Sequence, residues 1–127
     1  NEEIAAALNR TKLTLGVNCF ALAAGMAALE DQEHIERSKA LNRKSIEMME
    51  QYFESRCLKY IKSYANFIFV DVQRDVKEVY NQLLTYGVVT RGGHLWKLNN
   101  WLRISTTTEE NTKIIIDALD KVLFGNP

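Results

Sequence analysis

Proline is all but missing from this 127-residue sequence: the one proline is Pro127, so no expected helix or strand is broken from within. Cysteine is nearly as scarce. Cys19 stands among apolar residues and Cys57 follows a charged helix, with neither the spacing of a metal site nor the count of a disulfide framework. Both read as buried or bystander thiols. The two histidines, His34 and His94, come with no H-E-x-x-H or C-x-x-C string, which leaves metal chemistry without a ligand set. No apolar run approaches the roughly 18 to 20 residues that cross a bilayer, and "NEEIAAALNR" reads as a helix rather than a secretion signal. The default expectation is therefore a cytoplasmic protein with no membrane partner. Neither sign of charge is in excess: 16 Lys and Arg balance 16 Asp and Glu. No overall field draws nucleic acid or an anionic surface, so any anion site must be built locally. The chain opens on Asn1 and not on Met, as expected of a processed product or of a piece of a longer protein.

What is present is enough for a core. At 46% hydrophobic and 25% charged, 127 residues suit one globular domain and are too few for two ordinary cores. "NEEIAAALNR" spaces Ile4 and Leu8 at i, i+4, which predicts a short helix ending near Asn9, and "TKLTLG" reads as a connector. From Asn18, "NCFALAAGMAALED" is almost wholly small and apolar, the pattern of a helix buried on most sides, with Gly25 admitting a close neighbour. Asp31 can cap the next helix, about 32–56, on which Ile35, Leu41, Met48, Met49, Tyr52 and Phe53 form an apolar stripe. "NFIFVDV", 66–72, is a β-branched and aromatic run that predicts a buried strand. Val76, Val79, Tyr80, Leu83 and Leu84 then mark a helix over 75–86 with Gly87 as its stop. Strands are expected at about 88–91 and 101–106. A last helix follows "TTTEEN", where Thr107 and Glu110 have capping-box spacing, and "GNP" ends it.

Helices first, then β-α-β-β-α, is the order of an α+β fold. A right-handed crossover makes 66–72 and 88–91 parallel, and the third strand slots between them as in a split β-α-β unit. Such a three-stranded sheet needs helices on one face to bury it, which leaves the other face or an end free to dock on something.

Two arginines bracket the last connection. In "GVVTRGGHLWKLNNWLRIST", 87–106, Arg91 closes one strand and Arg103 lies within the next, so both side chains can converge near one edge of the sheet. Guanidinium groups stay charged and match a carboxylate or phosphate two bonds at a time, which suits a small-molecule substrate with two anionic ends or one dianion. Strand arginines also cover apolar surface and pair with nearby acids, so the residues alone leave both roles open. His94, in the connection, could donate to the same anion, whereas His34 sits on a charged helix face. Trp96 and Trp101 suit either packing or a platform for a flat ligand.

Several segments, in order, resemble the C-terminal part of the histidinol-phosphate aminotransferases, fold-type I enzymes dependent on pyridoxal 5'-phosphate. "VNCFALAAGMAALED" with "ERSKALNR" resembles that family's Val-Asn stretch and the long helix after it. "SYANFIFVDV" resembles its Ser-x-Ala-Asn-Phe strand, and "GVVTR" with "NNWLRIS" its two arginine strands. The resemblance spans essentially the whole chain. It implies the small C-terminal domain of a transferase of histidine biosynthesis, which in its parent would be a cytoplasmic homodimer acting on histidinol phosphate and 2-oxoglutarate. It further implies that Arg103 holds the substrate's carboxylate or phosphate, that Arg91 is an additional contact to the substrate anion, and that Asn18 and Asn66 lie near the domain junction as supporting residues. It implies no catalytic and no cofactor-binding residue within these 127. None of the lysines has a context like that of the Schiff-base lysine; Lys39 follows Ser38, but on a charged helix. The cofactor's lysine and acid would then lie in a large upstream domain, and the chain alone would be inactive. The same likeness leaves open the small domain of a threonine-phosphate decarboxylase or an aromatic-amino-acid aminotransferase, and the residues alone leave open a stand-alone anion-binding or dimerisation module.

Overall fold

The computed structural model describes residues 1–12 and 16–125, so the middle of the expected connector and the final Asn126 and Pro127 lie outside the described residues. The chain divides into two compact units, Asn1–Glu36 and Arg37–Pro127. In the first, α1 (Glu2–Thr11) starts at Asn1, whose side chain accepts from the Glu3 amide, and it continues past Asn9 because nothing at 9 or 10 breaks it. Asn18 caps α2 (Cys19–Glu30) by accepting from the Ala21 amide at 2.8 Å. The expectation that α2 is buried on most sides is overturned. None of its residues is buried, Phe20 is 83% exposed, and nothing lies within 4 Å of where a Gly25 side chain would begin. Apolar composition states what a helix needs covered, and within the first unit nothing covers it.

α3 (Gln32–Ser55) begins in the first unit and runs into the second, capped by Asp31, which accepts from the His34 amide at 2.9 Å. Its stripe is buried only in the second half, through Ser45, Ile46, Met49 and Phe53, while Leu41 is 48% exposed. In the second unit β1 (Tyr60–Ile61), β2 (Phe67–Asp71), β3 (Arg91–Gly92) and β4 (Trp101–Ser105) form one sheet in the order β1-β2-β4-β3, each neighbour antiparallel. β2 and β3 therefore run parallel with β4 between them, as a split β-α-β unit requires. Two expectations are corrected. The sheet has four strands and not three, because Tyr60 and Ile61 add an edge strand too short to show alternation. β3 is only two residues long and starts at Arg91, because the Val88 amide is already spent on Leu83 at the end of the preceding helix.

That helix, α4 (Val76–Thr85), is capped by Asp75, which accepts from the Lys77 amide at 2.8 Å, and it stops at Gly87, whose φ of +73° suits glycine. α5 (Glu109–Phe124) is capped by Thr108, accepting from Asn111, and not by Thr107 as the capping-box spacing suggested; Thr107 instead accepts from the Asn111 side chain. Val79 and Leu83 of α4, Leu119 of α5 and Met49 and Phe53 of α3 share one core with Ile68, Val70, Leu102 and Ile104 of the sheet. A buried hydroxyl pair, Ser45 Oγ to Thr112 Oγ1 at 2.8 Å, ties α3 to α5 inside it. All the helices of this core therefore meet one side of the sheet, and the strand expected to be buried over 66–72 forms over 67–71 and is buried on that side only.

Candidate functional site

Alternation along β2 and β4 sends Ile68, Val70, Leu102 and Ile104 into the core and turns Phe67, Phe69, Trp101 and Arg103 to the opposite face, where they are half-buried. On that open face the register sets Arg91 directly opposite Arg103, Arg103 opposite Phe69, and Phe69 opposite Ile61. Two guanidinium stems thus start side by side. Directly opposed residues of antiparallel strands have Cβ atoms about 4.5–5.5 Å apart, and like charges so placed repel. No carboxylate among the described residues pairs with either arginine; the ion pairs of this unit lie elsewhere, as in Arg56 with Asp120 and Lys121 with Asp117. An incoming anion would relieve the repulsion that the fold leaves standing.

The surroundings of Arg103 are aromatic. Its guanidinium carbon lies 5.0 Å from the centroid of the Phe67 ring, and its Nε is buried with no hydrogen-bond partner. Phe67 meets Phe69 edge-on at 6.0 Å, and Phe69 meets Trp96 edge-on at 5.8 Å, so an aromatic row runs beside the arginines. Low polarity around a cation strengthens its attraction for an anion that displaces water.

The glycines of "RGGH" are required by close approach. A side chain on Gly93 would begin 2.6 Å from the Leu98 carbonyl oxygen and 2.7 Å from that of Trp101, within the 3-10 turn Gly93–Trp96 and its return to β4. One on Gly92 would begin 2.6 Å from His94 Nδ1, with Val76 Cγ1 at 3.3 Å. Gly92 pairs with core-facing Leu102, so the His94 ring lies toward the helix side of β3. The structure thus brings Arg91 and Arg103 together, with Trp96 beside them through Phe69, and turns His94 away from their face.

The remaining candidates are placed as follows. Asn18 spends its side chain as the α2 cap, within the first unit. Asn66 precedes β2, its carbonyl accepting from the Thr106 amide and hydroxyl at 2.9 and 3.1 Å, and it borders a cavity of about 340 Å³ with Asn42, Arg43 and Ser63. Cys19 and Cys57 are exposed and unbridged, which makes them bystanders rather than buried thiols. No cluster of metal-binding side chains occurs among the described residues. Titration shifts fall away from the arginine face. Burial, then the charge of Asp120, raises the Tyr52 hydroxyl well above its usual range, and donation to Glu54 at 2.7 Å raises that of Tyr60 to about 12. Sequence reasoning missed Phe67 and Phe69 as neighbours of the site. The period-2 alternation of "FIFVD", set against the arginine strand, was the signal for them.

The model of the family described as aminotransferase class I and II matches residues 1–119. The chain is 44% identical, over 97% of its length, to a histidinol-phosphate aminotransferase of Caldicellulosiruptor saccharolyticus, and 40% identical, over 95%, to one of Moorella thermoacetica. It covers 34% and 31% of those proteins, so it spans about a third of their length. Among solved structures, a histidinol-phosphate aminotransferase from Sinorhizobium meliloti, in complex with pyridoxal-5'-phosphate, has the same fold at a TM-score of 0.75 and 24% identity, over 94% of this chain and 33% of that one.

Proposed function

The chain belongs to the class I and II aminotransferase family, and we propose that residues 1–127 form one small domain of a pyridoxal-phosphate-dependent histidinol-phosphate aminotransferase, in which Arg103 and Arg91 bind the anionic groups of the substrates. The observation that carries this reading is the pairing of the two arginines across β3 and β4, unneutralised, on the open face. A transaminase takes an amine from one substrate and gives it to a second in the same site. Histidinol phosphate brings a phosphate dianion; glutamate and 2-oxoglutarate bring two carboxylates each. Two fixed forks accept either load, since each guanidinium matches a carboxylate or two phosphate oxygens.

Pyridoxal 5'-phosphate, when bound, supplies the electron sink and the amine carrier. Among the described strand residues of the open face, Ile61, Phe67, Phe69, Asp71, Arg91, Trp101, Arg103 and Ser105, none is a lysine, and the two arginines fit a substrate anion, not the cofactor's aldehyde. The cofactor would therefore be held by the part of the longer relatives that these residues do not span. Within this chain Arg103 binds the anion, its aromatic surroundings exclude water, and Arg91 fixes the second anionic group, so that the amine is delivered in one orientation. Positioning is the role of both; neither moves a proton. A soluble homodimer in the cytoplasm is the assembly that fits.

In the full-length protein, Arg103→Ala is expected to lower kcat/KM for histidinol phosphate by about 100-fold or more, as misplacement of a substrate can. KM would rise while the absorbance of bound cofactor stayed intact. Unchanged kinetics would dismiss the assignment.

A further inference from the structure

We propose that Phe67 is a positioning residue for Arg103: its ring holds the guanidinium in the orientation that receives the anion. This inference deepens the function proposed above and rests on it. An arginine on a sheet is commonly steadied by a carboxylate. Arg103 has none, its neighbour on β3 is the like-charged Arg91, and its Nε is buried without a partner. What it has is the Phe67 ring, 5.0 Å from the guanidinium carbon. The register puts Phe69, not Phe67, opposite Arg103, so the side chain leans along the strand to reach that ring. Phe67 is itself braced edge-on by Phe69, which Trp96 meets from beyond.

The choice of holder has a chemical consequence. A carboxylate would occupy the in-plane N–H donors and compete with the substrate for them. An aromatic face attracts the cation through its quadrupole and leaves those donors free in their plane. The guanidinium is thereby oriented without being neutralised. Losing the ring would let it swing toward water, and part of each encounter with an anion would go to ordering it again.

The test uses the full-length protein, of which residues 1–127 form a part, with inorganic phosphate, followed by the NMR correlation of the Arg103 Nε–H group. Phosphate is expected to shift that signal in the wild-type protein. Phe67→Leu, which keeps apolar bulk and loses the π face, is expected to weaken phosphate binding about 5- to 10-fold, the range of a partly desolvated cation–π contact. Phe67→Tyr, which keeps the face, is expected to stay within about twofold of wild type. If F67L loses the dispersed spectrum of the folded protein, Phe67→Met takes its place with the same two outcomes. Undiminished phosphate affinity in the folded Leu or Met variant, even with a lower melting temperature, overturns the proposal by making Phe67 mere packing, as does equal weakening in the Tyr variant. Those results leave the arginine assignment standing. A wild-type protein whose Arg103 signal ignores phosphate removes the assignment itself, and the positioning role with it.

Discussion

Adjacent glycines in one connection carry unequal constraints, and the difference is measurable. A methyl on Gly93 would meet two backbone carbonyl oxygens, those of Leu98 and Trp101, which belong to the closure of the 3-10 turn and cannot swing aside. A methyl on Gly92 meets the end of an exposed His94 side chain, which can move, and Val76 at a distance that needs a few tenths of an ångström. Gly93→Ala is therefore expected to cost about 2–3 kcal/mol and Gly92→Ala less than about 1 kcal/mol, read from urea midpoints. Tyr60 supports a second expectation. Its pKa is pushed up to about 12, chiefly by donation to Glu54, from the usual tyrosine value of 10.0. A raised pKa means that the contribution is complete below pH about 10 and is lost as the pH climbs toward 12. Wild type should therefore lose more stability between pH 9 and pH 11 than Tyr60→Phe does; equal losses would show the hydrogen bond to be inert. The two arginines were legible as candidates because charge within a strand is conspicuous. Their direct opposition was not, because it depends on a register that no single strand encodes.

At the scale of elements, long periodic segments declared themselves and short ones did not. α3, α4 and α5 follow from apolar spacing of three and four, and the split β-α-β order follows from the handedness of crossovers and the reversal between β3 and β4. β1 and β3, two residues each, have no period to read, and their pairing is a decision of the sheet. The α5 cap slipped by one residue because consecutive threonines offer equivalent oxygens and only the backbone's exit angle chooses between them. Buried polar groups tie these elements together. Ser45 and Thr112 satisfy each other between α3 and α5, and Thr112 also donates to the Thr108 carbonyl. Ser45→Ala leaves Thr112 with that one bond and strips the Thr107 amide of its acceptor at 3.3 Å, so a loss of about 1–2 kcal/mol is expected, similar to that of Thr112→Val, which severs the ties to Ser45 and to the Thr108 carbonyl. Asp75→Ala, which removes the α4 cap, should cost about 1 kcal/mol by the same urea measurement.

For the whole molecule the decisive mismatch is α2. Its composition asks for burial on most sides, yet Phe20 and Met26 are 83% and 71% exposed. A protein rarely leaves such an apolar surface to water without cost, and the relatives it matches are about three times as long, the chain covering 34% of one and 31% of another. Composition therefore reported the demand for cover correctly and misjudged the supply, because a sequence of 127 residues states which surfaces are apolar but not what lies against them. The open face of the sheet follows the same logic with a different chemistry, since its aromatic row and unneutralised arginines also await a counterpart. Self-association separates the two surfaces experimentally. The wild-type chain is expected to sediment with an average mass that rises with concentration, and Phe20→Gln with Met26→Gln to suppress that rise without altering phosphate binding at Arg103. Arg103→Ala is expected to do the reverse, abolishing the phosphate response and leaving association as it was. If the α2 substitutions left association unchanged, the open face and not the helix would be the surface that drives it.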